Sequence, residues 1–143
     1  MTQHAEIDLT ALTERFSRIP ISDTLSLRLL QAEPGNTSMV LPYAKRFDGV
    51  FNSLHGGLLM TLADTAACAA IMTLVGVDAA IATTDMNIRF LAACRSDCVA
   101  QARVIKCGRS LVPVAVDLYD ENGARVAVAQ VTYMRLDLHD QKS

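Results

Sequence analysis

A lone carboxylate, Asp64, stands inside the most apolar stretch of the 143-residue chain, which runs from Leu58 to Val77. At helical spacing its near neighbours are Met60, Ala63, Ala67 and Cys68. None of these is a cation, and burying a carboxylate without a partner costs free energy. Two interpretations follow: either Asp64 is hydrogen-bonded to its surroundings, or it serves chemistry as a general base or a nucleophile.

A second signal, His55-Gly56-Gly57, opens this apolar stretch. At the start of a helix, free backbone N–H groups and the positive end of the helix dipole can hold a developing oxyanion. Glycine also lets a substrate approach the backbone closely. The alternative is that His55 only ties the preceding loop to the helix.

Helix geometry relates the two signals. Asp64 follows His55 by nine residues, which is about 13 Å of rise and half a turn of rotation. A catalytic base must come within about 3 Å of its target, directly or through one water. One chain therefore cannot bring both groups to one reacting atom. If they act on the same bond, the sequence predicts a two-fold homodimer in which Asp64 of one subunit serves the helix start of the other.

The elements that position these residues follow from periodicity and turn signals. The chain predicts helices from Asp8 or Thr10 to before Pro20 and from His55-Gly56-Gly57 to Gly76, and strands over Leu25–Ala32, Thr37–Leu41, Ile81–Leu91, Cys98–Ile105, Leu111–Tyr119 and Ala124–Leu136. Leu9, Leu12 and Phe16 are expected on one face of the first helix, and residues 42–54 are expected to form a loop. The fold class is α+β, with an antiparallel sheet and one apolar helix enclosed by it.

Composition bounds the function classes. The chain is 51% hydrophobic and 20% charged, with 13 basic and 15 acidic residues and no basic cluster, so it predicts one domain over 1–143 that binds no nucleic acid. The amino terminus lacks a basic segment before an apolar run, which argues against a secretory signal and for the cytoplasm. Asp64 and several threonines argue against a membrane span over Leu58 to Val77.

The cysteine and histidine patterns do not indicate a metal site. The four cysteines are Cys68, Cys94, Cys98 and Cys107, and they match no zinc-ligand spacing. They are expected to be reduced thiols that act as small core residues. The three histidines are scattered along the chain.

Four runs together resemble a known family: Leu54-His55-Gly56-Gly57 with Leu62-Ala63-Asp64, Thr83 to Leu91, Lys106 to Ser110, and Asp117 to Gly123. Over about residues 24–136 they are similar to the hotdog-fold acyl-CoA thioesterases of the PaaI type. The resemblance implies an antiparallel sheet wrapped around one long central helix.

The resemblance also implies roles for individual residues. Asp64 matches the catalytic carboxylate, Gly56 the glycine whose N–H polarises the thioester carbonyl, and His55 the motif histidine. Thr83 matches a hydroxyl that helps position the attacking water near that carboxylate, and Gly57 is expected near the substrate. The turn that would meet the coenzyme A nucleotide contains Lys106, Gly108, Arg109 and Ser110.

One position departs from the family pattern. Close relatives carry an asparagine six positions before the motif histidine, where this chain has Gly49. Asn52, three positions before His55, is the candidate substitute in substrate binding.

The resemblance implies hydrolysis of an acyl-CoA thioester to a free acid and coenzyme A, without a metal or other cofactor. It implies a homodimer or a dimer of dimers. Two alternatives remain: a non-catalytic acyl-CoA-binding hotdog module, favoured by Gly49, and a hotdog enoyl-CoA hydratase or dehydratase. The second lacks support because the chain shows no hydratase-type Asp/His pair.

Overall fold

The computed structural model describes residues 8–136. The segment inspected for a secretory signal lies mostly in residues 1–7, and both ends of the predicted domain 1–143 fall outside the described residues. Two amino-terminal helices come first, α1 (Leu9–Ser17) and α2 (Pro20–Leu25). The other elements are β1 (Arg28–Glu33), β2 (Asn36–Leu41), a 3-10 turn (Lys45–Phe47), α3 (Gly56–Val75), β3 (Ile81–Phe90), β4 (Cys98–Val104), β5 (Leu111–Tyr119) and β6 (Arg125–Arg135).

The amino-terminal region differs in part from the prediction. The side chain of Asp8 caps α1 by accepting from the Ala11 N–H at 3.0 Å, and Leu12 and Phe16 are buried as expected. Leu9, predicted on the same face, is 48% exposed. The predicted strand start at Leu25 is wrong, because Pro20–Leu25 forms a helix with proline in its first turn.

The six strands form one antiparallel sheet in the order β1-β2-β4-β5-β6-β3. In β5 the residues Val112, Val114, Val116 and Leu118 are buried and alternate with half-buried side chains, as the period-two pattern predicts. The sheet order places β3 at one edge, where β6 is its only strand partner among residues 8–136.

The central helix α3 lies against the sheet and contacts all six strands. Nine of its twenty residues are buried, and five of those nine are alanines. These small side chains allow the strands to approach the helix closely. The helix ends at Gly76, whose φ of 100° favours glycine. The predicted hotdog arrangement, an antiparallel sheet around one long helix, is confirmed.

The packing of α3 against the sheet explains why this helix is so apolar. The helix is long and apolar enough to cross a membrane by length and composition alone, but half of its most apolar window is buried inside the protein. Its apolar residues therefore belong to the core that extends from Leu12 to Tyr133.

Candidate active site

The Asp64 carboxylate is half-buried and is held by two hydroxyl groups on a single oxygen. Thr83 Oγ1 donates to Asp64 Oδ1 at 2.8 Å, and the Tyr133 hydroxyl donates to the same oxygen at 2.8 Å. Within residues 8–136 no donor reaches Oδ2, and no Lys, Arg or His forms an ion pair with Asp64. We call Asp64, Thr83 and Tyr133 the carboxylate cluster. The carboxylate is held in place at Oδ1, whereas Oδ2 is open, meaning that no donor from residues 8–136 occupies it.

The sheet brings the two hydroxyls together. Thr83 near the start of β3 is the register partner of Tyr133 near the end of β6. The register shifts between Thr83 and Asp85, so that Thr84 is an extra, bulged residue. Sequence reasoning placed Thr83 beside Asp64 but missed Tyr133. The signal for Tyr133 was its place in the predicted last strand, and its meaning depended on that strand lying next to β3.

Burial decides the protonation of the groups around Asp64. It raises the pKa of Tyr133 well above the ordinary tyrosine value, so the phenol stays protonated and acts as a donor. Burial is also the main cause that raises the pKa of Cys68 to about 11. Cys68 follows Asp64 by one helical turn and remains a neutral thiol at physiological pH. It adds no negative charge beside the carboxylate.

The other predicted group lies at the start of α3. His55 caps the helix, and its Nδ1 accepts from the Gly57 N–H at 2.9 Å. His55 therefore ties down the loop, which was one of its two predicted roles, and the Gly57 N–H is already used. The Gly56 N–H has no acceptor among residues 8–136. Of these two N–H groups, the one at Gly56 is free to receive a ligand oxygen.

Gly56 faces a cavity of about 370 Å³ that Leu59, Phe90 and Cys94 also help to line. The Phe90 ring lies so close that a Cβ at position 56 would stand 3.1 Å from Phe90 Cζ. Position 56 is thus crowded for any residue except glycine. We call His55, Gly56, Gly57 and Phe90 the helix-start cluster.

The two clusters are well separated in one chain. Eight residues of unbroken α3 separate Gly56 from Asp64, which corresponds to about 12 Å along the axis. Each cluster also includes a residue near one end of β3, namely Thr83 in one and Phe90 in the other. Both α3 and the edge strand β3 therefore span the distance between the two clusters.

The loop before α3 contains the position that departs from the family pattern. Gly49 donates its N–H to the Ser53 carbonyl at 2.8 Å, and a Cβ added at Gly49 would stand 3.5 Å from His55 Cδ2. Position 49 therefore lies directly beside the motif histidine. Asn52 is exposed at the tip of this loop with a φ of 55°, a left-handed conformation that asparagine tolerates.

A tyrosine–aspartate pair anchors the same loop and was not anticipated. The Tyr43 hydroxyl donates to Asp48 Oδ2 at 2.7 Å, and this hydrogen bond to a carboxylate raises the pKa of Tyr43. Asp48 also pairs through its backbone with Leu54. These contacts fix both ends of the segment that includes Gly49.

The predicted nucleotide-binding turn joins β4 to β5 at the same end of the sheet as the carboxylate cluster. Arg135 donates to the Gly108 carbonyl at 3.3 Å through Nη1 and to the Ser110 carbonyl at 2.7 Å through its backbone N–H. Arg135 follows Tyr133 by two strand residues, or about 7 Å. Lys106, Arg109 and Ser110 are exposed.

Gly108 has a structural reason to be glycine, because a Cβ there would overlap the Leu111 carbonyl oxygen. Arg135 is a further residue of this turn that sequence reasoning missed.

The cysteines fit the prediction only in part. All four are free; Cys94 and Cys98 are buried core residues and Cys68 is half-buried. Cys107 is exposed on the β4–β5 turn, so its predicted place in the core is wrong. In the part of the chain that the structure describes, no group of three or more His, Cys, Asp or Glu residues is arranged to hold a metal ion.

The sequence is similar to those of thioesterases and esterases. A sequence profile of the thioesterase superfamily matches residues 51–127, which is more than half of the chain. A protein of Halobacterium salinarum named as a candidate esterase is 28% identical over 120 residues, covering 76% of this chain and 80% of its own length.

Solved structures show the same fold. A thioesterase family protein from Silicibacter pomeroyi is 28% identical and superimposes with a TM-score of 0.81, covering 87% of this chain and 95% of that one. The PaaI protein of the E. coli phenylacetic acid degradation operon has the same fold at 18% identity and a TM-score of 0.79, over 88% of this chain and 96% of that one.

Proposed function

The chain belongs to the thioesterase superfamily, and from that premise we propose that it hydrolyses an acyl-CoA thioester to a free carboxylic acid and coenzyme A. The observation that carries the proposal is the hydrogen bond from Thr83 to Asp64 at 2.8 Å. It joins, across 19 residues, the carboxylate and the hydroxyl that the family resemblance assigns to catalysis. The carboxylate is half-buried, has an open oxygen, and stands beside a hydroxyl that can orient water.

In the proposed reaction, the Gly56 N–H at the start of α3 donates to the thioester carbonyl oxygen as negative charge develops there. The Asp64 carboxylate takes a proton from water as the water oxygen bonds to the carbonyl carbon. The carbon–sulfur bond then breaks, the electron pair stays on sulfur, and the proton passes to the coenzyme A thiolate. If Asp64 instead attacks the carbon directly, water hydrolyses the resulting anhydride, and the products are the same.

The proposal requires a second copy of the chain, because about 12 Å of helix separates Gly56 from Asp64 within one copy. The exposed edge strand β3 is suited to receive that copy. Its inward side chains Met86 and Ile88 pack against the core, whereas Asp85, Asn87 and Arg89 are exposed. Two β3 strands that pair antiparallel across a two-fold axis would continue the sheet from one subunit to the next.

Charge complementarity selects the register of this pairing. An axis at Asn87 places Asp85 opposite the partner's Arg89, and Arg89 opposite the partner's Asp85. An axis at Asp85 would instead set two carboxylates against each other. The opposite charges two residues on either side of Asn87 therefore favour Asn87 as the centre.

The same register would assemble the site. If the bulged Thr84 is not counted, an axis at Asn87 puts Thr83 opposite the partner's Phe90. Thr83 holds Asp64, and Phe90 packs on Gly56. The carboxylate cluster of one subunit would thus face the helix-start cluster of the other. We propose this homodimer as the unit that contains two shared sites, and a dimer of dimers would preserve them.

The exposed turn of Lys106, Arg109 and Ser110 is the proposed contact for the coenzyme A nucleotide. It is held by Arg135 at the same end of the sheet as the carboxylate cluster, so a substrate lying between the two would place its thioester near Asp64. Exposed cations of this kind suit phosphate groups.

A steady-state assay tests the function. Wild-type protein is mixed with acyl-CoA substrates from short aliphatic to aryl, and a thiol-reactive dye reports released coenzyme A. Asp64→Asn keeps an oxygen that can accept from both hydroxyls, so we expect an intact fold and turnover at least about 100-fold lower. Near-wild-type turnover in that variant would remove Asp64 from the chemistry.

The second candidate, a non-catalytic acyl-CoA-binding module, is favoured by Gly49, which leaves no amide beside His55. It predicts saturable acyl-CoA binding without release of coenzyme A from any substrate in the series.

A further inference from the structure

Tyr133 is a buried polar side chain for which the family resemblance supplies no role. Its ring is only 5% exposed, yet its hydroxyl points at Asp64, 2.8 Å from Oδ1 and 3.0 Å from the backbone carbonyl oxygen. Both contacts are made to Asp64, the residue that acts as the base or nucleophile in the proposed function. A buried tyrosine needs a hydrogen-bond partner, but the backbone carbonyl alone would satisfy it. The shorter contact is to the side chain.

We infer that Tyr133 is a positioning residue which, together with Thr83, occupies Oδ1 of Asp64 and so assigns Oδ2 as the oxygen that meets the attacking water or the thioester carbon. The inference rests on the proposed function and goes further, because it names the reacting atom and the residue that selects it.

The geometry at Oδ1 supports this assignment. Each carboxylate oxygen offers about two lone-pair directions. Both donors stand at the ordinary O–H···O separation, so the two hydroxyls fill the acceptor capacity of Oδ1. Among residues 8–136 nothing donates to Oδ2, which stays available to a proton or to carbon.

The positions of the two hydroxyls in the sheet explain why they fix the orientation of the Asp64 carboxylate. Thr83 and Tyr133 are register partners on adjacent strands, so their relative position is set by the backbone of the sheet. Tyr133 in addition contacts the backbone of Asp64 itself. A half-buried aspartate could otherwise rotate about its side-chain bonds. Holding a reacting group in one orientation is a recognised source of rate enhancement.

The test is Tyr133→Phe, which removes the hydroxyl and keeps the ring in the core. We expect kcat to fall about 10-fold or more, with KM within about 3-fold of wild type because substrate contacts are unchanged. The loss of one buried hydrogen bond should lower the melting temperature by only a few degrees, so the variant stays folded under assay conditions. Tyr119→Phe is the matched control. Tyr119 is half-buried at the end of β5, and its hydroxyl makes no hydrogen bond within residues 8–136.

A double-mutant cycle adds a readout that a merely structural role would not move. If Tyr133 and Thr83 hold the same oxygen, the effects of Tyr133→Phe and Thr83→Val on kcat should not be independent. The loss of kcat in the double variant should differ from the product of the two single losses by at least about 3-fold. Thr83→Ser, which restores the second hydroxyl, should recover most of the activity lost in Thr83→Val.

The outcomes separate this inference from the proposed function. Unchanged kcat in Tyr133→Phe, strictly multiplicative losses in the cycle, or equal activity of the serine and valine variants would each overturn the positioning role while Asp64 stays essential. Loss of kcat with a fall in melting temperature large enough to unfold Tyr133→Phe under assay conditions would also overturn it, in favour of a structural role. Absence of hydrolysis by the wild-type protein across the acyl-CoA series would overturn the proposed function itself.

Discussion

The ring of Phe90, at the end of the edge strand, lies against Gly56, at the start of the central helix, so closely that a Cβ there would stand 3.1 Å from Cζ. This contact connects the strand proposed as the dimer interface to the N–H proposed as the oxyanion donor. It also shows how that N–H can be tested, because the ring is 52% exposed and can move aside for a small side chain.

Gly56→Pro removes the proposed donor without removing the helix. Proline is favoured at the first helical position, and the extended conformation of His55 (φ −57°, ψ 132°) suits a residue before proline. We expect kcat for acyl-CoA hydrolysis to fall about 100-fold or more, in the range for loss of one oxyanion donor. Gly56→Ala is the control, since it crowds Phe90 equally and keeps its N–H. Equal losses in the two variants would mean that crowding, and not the donor, is responsible.

The shared site makes a distinct prediction for mixed dimers. Asp64→Asn and Gly56→Pro are each expected to retain at most about 1% of wild-type turnover as homodimers. A mixed dimer contains one site with an intact Asp64 and an intact Gly56. Random exchange at equal concentrations makes about half of the dimers mixed, so about a quarter of wild-type activity should return. Subunit exchange is followed with two differently tagged chains. If tagged mixed dimers form and activity does not return, the two clusters do not share a site.

Local patterns were sufficient to predict much of this architecture. The alternating valines fixed β5 at Leu111–Tyr119 with its observed ends. His55-Gly56-Gly57 marked the start of the central helix as a loop-to-helix junction, and Gly76 marked its end because a positive φ favours glycine there. The short helix Pro20–Leu25 was missed, since six residues are too few to show a helical period.

Only part of the carboxylate cluster could be predicted from the sequence. Thr83 was placed beside Asp64 through family resemblance. Tyr133 lies 69 residues from Asp64, and its contact exists because β6 sits between β5 and β3 in the sheet. That strand order is set by packing across the whole domain, and no local pattern records it.

Charge reversal on the edge strand tests the proposed register of the dimer. With the axis at Asn87, Asp85→Arg sets two arginines opposite each other, and Arg89→Asp sets two aspartates opposite each other. Each single variant should shift the protein toward monomer and lower activity, and the double swap should restore both, because like charges repel across a strand pair. Sedimentation velocity measures the assembly.

The matched control reverses Asp117, which pairs with Arg125 at 3.3 Å within the chain and lies on β5, away from the β3 edge. Dissociation in this control as severe as in Asp85→Arg would show that general charge, and not the register, governs assembly. Full assembly of both single edge variants would exclude an axis at Asn87.

Arg109→Ala tests the nucleotide contact. The guanidinium is exposed, so its loss should weaken binding modestly, with KM for acyl-CoA raised about 3- to 10-fold and kcat little changed. The corresponding acyl-pantetheine thioester lacks the nucleotide, and on that substrate the variant should match wild type. Arg28→Ala, an exposed arginine on the opposite edge strand β1, is the control for net charge. An equal rise of KM on both substrates would discard the nucleotide assignment.

Gly49→Asn tests whether the departure from the family pattern limits the rate. A Cβ at position 49 would stand 3.5 Å from His55 Cδ2, an ordinary van der Waals contact, so a side chain can begin there without moving His55. If the missing amide is a lost carbonyl donor, kcat should rise about 10-fold, whereas Gly49→Ala, with the same Cβ and no amide, should stay near wild type. Asn52→Gly keeps the left-handed conformation at φ 55° and removes the only amide at the loop tip. A large loss of kcat in Asn52→Gly, restored by adding Gly49→Asn, would identify Asn52 as the present donor; full activity in Asn52→Gly would instead assign carbonyl polarisation to the Gly56 N–H alone.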